Sequence, residues 1–253
     1  MVREDFHMHT NMSDGRHSAE EMVLSAIEKG MTRIGISDHS NACFAPEFGL
    51  DDGEKKRAYL AEISRLKEKY SDRIALLCGI EMDYYSEMSH DGYDYMIGSV
   101  HGIELPDGSF VEVDDTPYKL IEASDRFFDG DLMRICEIYF DTVGKVIEKT
   151  GGDIIGHFDL VSKFNKDDRL FDHNDPRYIR AWQKAADRLL LTGKPFEINT
   201  GAISRGYQDR PYPDFDMIDY IRSRGGRFLL SSDSHHKDWI AYEFDRWEYL
   251  LGN

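Results

Sequence analysis

Cysteine is scarce in this chain of 253 residues. There are three, Cys43, Cys78 and Cys136, an odd number with no two close enough to make a CxxC pair. That argues against a disulfide framework and against a thiolate zinc site. Basic charge is short as well: 31 Lys and Arg face 48 Asp and Glu, a formal net charge of −17, and the basic residues form no clusters. So acidic a surface repels phosphate backbones and anionic headgroups, so neither a nucleic acid nor a membrane is an expected partner. No apolar run approaches the roughly 18 residues of a membrane span. Met1-Val2-Arg3-Glu4-Asp5 carries charges where a signal peptide needs an apolar stretch. The expectation is a soluble, cytoplasmic protein. No low-complexity tract or Pro/Gly-rich linker divides it, so one domain over residues 1–253 is expected. Against these absences stand 41% hydrophobic and 12% aromatic residues, enough for a buried core.

Short apolar runs alternate with longer amphipathic segments. Candidate strands are Val2–His9, Arg33–Ser37, Ala75–Glu81, Tyr95–His101, Asp153–His157, Pro195–Asn199 and Arg227–Ser232. Between them, Ser18-Ala19-Glu20-Glu21 has the form of a capping box opening a helix with Met22 and Ile27 on its apolar stripe. Lys55–Tyr70, Leu132–Lys149, Pro176–Leu191 and Asp216–Arg224 are helical by the same logic, and Gly30, Gly151 and Gly225 sit where C-terminal caps are expected. Seven such alternations predict an α/β fold of parallel βα units, either an open doubly wound sheet or a closed barrel. No GxGxxG follows the first strand, which weakens a dinucleotide-binding sheet.

Metal-binding residue types recur at the C-terminal ends of these strands: His7 and His9, Asp38 and His39, Glu81 followed by Asp83, His101, His157, and Asp233 with His235. In βα barrels that face forms the active site. Residues two apart in a strand point to the same side, so His7 and His9 can reach one ion, as can Asp233 and His235. A single His-x-His is weak evidence, but six of the ten histidines fall at strand ends. Imidazole and carboxylate without thiolate suit Zn²⁺, Mn²⁺ or Fe²⁺. Six histidines with Asp14, Glu81 and Asp233 exceed the needs of one ion and supply two or three, with Glu81 as the bridging carboxylate.

His7-x-His9-Thr10 with Ser13-Asp14-Gly15, Ser37-Asp38-His39, Gly79-x-Glu81, Gly98-Ser99-Val100-His101, Gly156-His157 and Ser232-Asp233-Ser234-His235 resemble, in this order, the motifs of the polymerase-and-histidinol-phosphatase (PHP) family. Within the family, Gly156-His157-Phe158-Asp159-Leu160 and Glu197-Ile198-Asn199-Thr200 look most like the histidinol-phosphate phosphatases. The resemblance implies a distorted (β/α)7 TIM-like barrel with a trinuclear metal site. By motif, His7, His9, Glu81 and Asp233 hold one ion, and Glu81, His101 and His157 a second. His39 and His235 hold the third with Asp14 beside them, although Ser13-Asp14-Gly15 reads equally as a turn. The implied activity is metal-dependent hydrolysis of L-histidinol phosphate in histidine biosynthesis, with a metal-bound hydroxide held by Glu81, His101 and Asp233 as nucleophile. A nuclease or nucleotide phosphatase, a protein-tyrosine phosphatase and a non-catalytic metal-binding protein are the alternatives.

Charge decides whether an anion can approach. Divalent ions outweigh Asp14, Glu81 and Asp233 at the mouth, and at short range they dominate a distant acidic surface screened by salt. A phosphate also calls for a cationic side chain. Arg205, after the sixth strand, is the first candidate and Lys163 the second; the alternative for Arg205 is a solvated surface role. The segment Ser40–Gly49, with Cys43, Phe44, Pro46 and Phe48, reads as a packed surface loop or as a substrate wall. His17, His90, His173 and His236 are assigned no role in the site, and Trp182, Trp239 and Trp247 are core candidates.

Overall fold

The computed structural model describes residues 2–252. Seven strands make one parallel sheet in chain order: β1 (Glu4–Asp5), β2 (Arg33–Ile36), β3 (Ala75–Asp83), β4 (Tyr95–Ser99), β7 (Ile154–Ile155), β8 (Phe196–Asn199) and β9 (Phe228–Ser231). A separate antiparallel hairpin, β5 (Gly102–Glu104) and β6 (Phe110–Glu112), follows β4. The helices are α1 (Ala19–Glu28), α2 (Glu54–Lys69), α3 (Pro117–Phe128), α4 (Leu132–Val143), α5 (Val146–Thr150), α6 (Pro176–Leu190), α7 (Gly201–Ser204), α8 (Phe215–Ser223) and α9 (Phe244–Trp247).

The sheet closes on itself just beyond its two ends. Met8 pairs in parallel with Ser234; the His9 amide donates to the Ser234 carbonyl at 2.9 Å and the Ser234 amide to the His7 carbonyl at 3.2 Å. Below this seam the buried Asp5 carboxylate accepts from the Ser232 amide (3.1 Å), the Ser232 hydroxyl (2.5 Å) and the Ala241 amide (3.0 Å). The result is a distorted seven-stranded βα barrel, the closed one of the two architectures that the alternation of elements left open and the one that the family resemblance implies.

The two-residue period of β3 explains how one strand serves core and site. Leu76, Cys78, Ile80 and Met82 face outward into a layer with Met22, Val23, Tyr59, Ile63 and Leu66 of α1 and α2. Leu77, Gly79, Glu81 and Asp83 face the barrel interior. Leu77 joins an apolar plug with Phe6, Tyr95, Ile97, Ile154 and Leu229. The Tyr95 side chain lies across β2 and β3, where a Cβ at Gly35 or Gly79 would come within 2.6 or 2.3 Å of its ring, and its hydroxyl donates to the Phe6 carbonyl. Above this plug the interior turns polar, with Glu81 on β3 and Glu197 on β8 both buried. The other face of β8 packs Phe196 against Phe140, Phe158, Tyr178 and Trp182, beneath α4 and α6.

Three differences from the sequence expectation have physical causes. Val2–His9 is regular only at Glu4–Asp5, because the chain must bend to carry His7 and His9 over the barrel mouth. The helix expected over Leu132–Lys149 breaks into α4 and α5 at Gly144, where a Cβ would lie 3.2 Å from the Ala185 Cα of α6. The hairpin and α3 were not anticipated. Strands of three residues carry too little periodicity to read, although Thr116-Pro117 does cap α3, with the Thr116 hydroxyl accepting from the Lys119 amide. The capping box at Ser18 and Glu21 is present, and Gly30, Gly151 and Gly225 follow helices with positive φ.

Candidate metal centre

Nine side chains from six strand ends come together around Glu81, which is one of them. Its two oxygens face different histidines. Oε1 lies 2.8 Å from His157 Nε2 and 3.3 Å from His101 Nε2. Oε2 lies 2.8 Å from His39 Nδ1, 3.2 Å from His7 Nε2 and 3.5 Å from His9 Nε2. Asp233 Oδ1 completes the inner group at 3.3 Å from His9 Nε2 and 3.8 Å from His7 Nε2. Asp14 sits nearer the mouth, with Oδ2 3.0 Å from His235 Nε2 and Oδ1 3.6 Å from His39 Nε2. Four overlapping groups result, each with its donor atoms within 4.8 Å of one another: His9–Asp14–His39–His235, His7–His9–Asp233, His7–Glu81–His157 and His39–Glu81–His101. All nine residues singled out in the sequence as metal ligands therefore meet at one place.

Local structure aims these groups. Thr10 donates its amide (2.7 Å) and its hydroxyl (2.6 Å) to the buried Asp38, and Ser13 adds a hydroxyl at 2.5 Å. This folds the Thr10–Gly15 turn back onto its own strand. Gly15 lies so close to the His9 carbonyl that a Cβ would come within 2.4 Å of it. Asp14 is thus on a turn and in the site at once. Asp233 has φ of 48°, a left-handed backbone that Asp tolerates better than most residues, and β9 has ended at Ser231. Asp233 and His235 converge through this bend; the simple strand alternation used to pair them does not hold here.

The buried atoms fit divalent cations. His7 Nε2 and both ring nitrogens of His9 are shielded from solvent and make no hydrogen bond among the described residues. Unpaired buried polar atoms are costly, and several converging on one point are what a cation satisfies. Imidazole and carboxylate donors suit Zn²⁺, Mn²⁺ or Fe²⁺. A second ring of carboxylates orients the first. Glu197 Oε1 holds His7 Nδ1 at 2.7 Å and its Oε2 accepts from the His157 amide at 3.0 Å. Asp83 Oδ2 holds His101 Nδ1 at 3.0 Å. In each case the far nitrogen, Nε2, is turned toward Glu81. The ligand list from sequence missed Glu197, Asp83 and Asp38 in these supporting roles. The available signal was spacing: Asp83 is two residues beyond Glu81, on the same face of β3.

The electrostatics follow from this crowding. Burial opposes charge on His7, but Glu197, Glu81 and Asp233 outweigh it and hold the imidazole well above its ordinary range. His101 is raised as well, against burial, by Glu81 and Asp83. His9 goes the other way, pushed well below its range by burial and by its neighbours His235 and His39. Burial would raise the carboxyls of Glu81 and Asp233, yet both are held well down, Glu81 by His39, His7 and His101 and Asp233 by Arg205 and His7.

A cavity opens above the centre. Arg205 lines it, with one guanidinium nitrogen on Asp233 Oδ2 at 2.9 Å and another 2.8 Å from His235 Nδ1. This half-buried position differs from the solvated surface alternative. Lys163 also lines the cavity and donates to the Asp114 carbonyl at 2.7 Å. Ala42, Phe44, Ala45 and Phe48 make Ser40–Gly49 one of its walls. His236 stays outside, capping the turn at Lys237–Trp239 and packing edge-on against His17. Trp182 and Trp247 are buried in apolar clusters. No helix among the described residues is long and apolar enough to cross a membrane.

Known proteins share this fold. The histidinol-phosphatase of Bacillus subtilis is 24% identical over 97% of this chain and 98% of its own length. The hisK protein of Listeria monocytogenes superposes with a TM-score of 0.80 at 21% identity, covering 96% of this chain and 99% of that one. Histidinol phosphate phosphatase from Lactococcus lactis, solved with zinc, L-histidinol and phosphate, gives a TM-score of 0.68 at 22% identity over 98% of this chain and 92% of that one. Residues 5–201 match the PHP domain, and the chain belongs to that family.

Proposed function

We propose that this protein is a metal-dependent phosphatase that hydrolyses L-histidinol phosphate to L-histidinol and phosphate. The observation that carries the reading is the convergence of six histidines and three carboxylates on the floor of one cavity, with unpaired buried nitrogens among them. The substrate is supported by the Bacillus subtilis relative, a histidinol-phosphatase aligned over nearly its whole length. The charge balance of −17 also favours a small phosphomonoester over a nucleic acid. We take the whole chain as one PHP domain, because β9, beyond the residues that match the family, closes the barrel and leads into Asp233 and His235.

Two or three divalent ions fit the donor set, zinc among them. His7, His9, Glu81 and Asp233 would hold one, Glu81, His101 and His157 a second, and His39, His235 and Asp14 a third. Such ions supply Lewis acidity and a water acidified toward neutrality. The protein's part is geometric and electrostatic. Glu81 offers an oxygen to each side of the centre, while Glu197 and Asp83 would fix the proton of neutral His7 and His101 at Nδ1, so that Nε2 is the nitrogen given up to an ion. Arg205 and Lys163 line the cavity where phosphoryl charge must be balanced. In the overall reaction a water oxygen bonds to phosphorus, the phosphorus–alcohol oxygen bond breaks, and the alcohol leaves with a proton.

The test is a rate comparison on protein stripped with a chelator and refilled with Mn²⁺ or Zn²⁺. L-Histidinol phosphate, p-nitrophenyl phosphate and a 5′-phosphorylated oligonucleotide are offered side by side. The expected result is a kcat/KM for histidinol phosphate above the others by orders of magnitude, and none without metal. A preference for the oligonucleotide or the generic ester leaves a metal site without this substrate.

A further inference from the structure

We propose that Asp114, assisted by Glu112, is a specificity residue that pairs with a protonated amine on the alcohol portion of the substrate. The inference rests on the phosphatase reading and deepens it. The hairpin β5–β6 follows His101 directly, and the Val113 amide donates to the His101 carbonyl at 2.8 Å, so the end of the hairpin is pinned beside the metal centre. Val113 is buried, while Glu112 and Asp114, on either side of it, both line the cavity. Asp114 Oδ2 lies 3.3 Å from Lys163 Nζ; Oδ1 makes no hydrogen bond among the described residues.

The rest of the cavity makes sense of this placement. Phe44, Phe48 and Tyr207 line it, and Phe44 stacks on Phe110 of the same hairpin with centroids 5.3 Å apart. Phe44 can lie there because Gly102, which pairs with Glu112 across the hairpin, has no Cβ; one would meet the ring at 2.8 Å. Phe110 and Glu112 are two apart on β6, so the residue that seats the aromatic wall and the residue that adds the charge share a face. Metal donors and Arg205 suit a phosphate; Asp114 Oδ2 already holds Lys163, which lies 4.9 Å from the Tyr207 ring centroid, so Asp114 Oδ1, Glu112 and the Phe44 and Phe48 faces are what the cavity offers a further cation. A leaving group with further negative charge, such as a nucleoside bearing more phosphate, would face Asp114 and Glu112. An aminoalcohol meets a partner.

The experiment uses metal-saturated enzyme with its metal content measured, and two small esters that differ in charge. Wild type should hydrolyse 2-aminoethyl phosphate with higher kcat/KM than 2-hydroxyethyl phosphate. In Asp114→Asn the ratio of the two should fall about tenfold, the scale of a lost hydrogen bond to a charged group. Calorimetric titration with L-histidinol should show weaker binding to the same variant. Glu112→Gln should shift the ratio in the same direction by less. An unchanged ratio in Asp114→Asn, or in Glu112→Gln should the first variant not fold, overturns the proposal, even where both rates fall together. A wild type that hydrolyses both esters without favouring the amine overturns it while leaving the phosphatase reading intact. A wild type that hydrolyses no phosphomonoester defeats both.

Discussion

Glu197 binds no substrate in this scheme, yet it decides which nitrogen of His7 faces the metal centre. Its carboxylate accepts at 2.7 Å from Nδ1, so that ring nitrogen carries the proton and Nε2 is left as a donor to a cation. In Glu197→Gln the amide can instead donate to Nδ1 and drive the proton onto Nε2. The bonds to the His157 amide and from Asn199 can persist, so the fold should survive. Metal affinity should fall about 10- to 100-fold, as is usual when such a carboxylate is lost. Chelator competition measures it; unchanged affinity would leave Glu197 with a purely structural role. The same residue marks the limit of sequence reading. The nine candidate ligands were legible because each is a metal-binding type at a strand end. Glu197 sits inside Phe196–Asn199, where only its burial next to His7, a contact 190 positions away in sequence, reveals its function. Asp38 is similar: it stood out as a strand-end acid, but its work is to fold the Thr10–Gly15 turn.

Among the elements, the two longest helices were readable and the hairpin was not, although α3, with 12 residues, was missed as well. α2 and α6 run 16 and 15 residues, enough turns for an apolar stripe to show. β5 and β6 have three residues each and pair only with each other, so neither length nor alternation announced them. Yet this unforeseen hairpin carries Glu112 and leads into Asp114. Contacts between elements were equally hidden. Glu20, in the first turn of α1, accepts from Arg65 (2.8 Å) and Lys69 (2.5 Å) of α2 and from the Tyr70 hydroxyl (2.7 Å). These bonds, Lys69 first, draw its carboxyl down from 4.5 to about 2. A folded value below the unfolded one stabilises the fold above pH 4.5, and that contribution is lost as pH falls toward 2. Glu20→Gln should therefore unfold at lower urea than wild type at pH 7, with the gap narrowing at pH 4 and again at pH 3. A gap that stays constant with pH would mean that packing, not charge, joins α1 to α2 at this point. The site is exposed, so the effect should be small.

For the whole molecule, a charge of −17 and a centre built for cations belong to one design. The acidic surface lies outside a Debye length of about 8 Å for much of the fold, whereas bound ions act at contact distance on a phosphate. The barrel also places its most expensive polar groups, Glu81, His7 and His9, above an apolar plug and away from solvent, so the fold itself should lean on the metal. Chelator treatment should lower Tm, and added Mn²⁺ or Zn²⁺ should restore it with a dependence on ion concentration, since an ion that binds only the folded state stabilises by mass action. The pH dependence follows from the histidines. In the metal-free centre, carboxylates hold protons on His7 and His101 well above the ordinary imidazole range, so protons compete with metal even near neutrality. The Tm gain from metal should therefore be large at pH 8 and shrink steadily toward pH 5, because each ligand must shed its proton to bind. A gain independent of pH between 8 and 5 would place the stabilising ion elsewhere on the protein. His9→Ala separates the two cases: it should reduce the metal-dependent gain at pH 8 if the ion sits at Glu81, and leave it untouched if it does not.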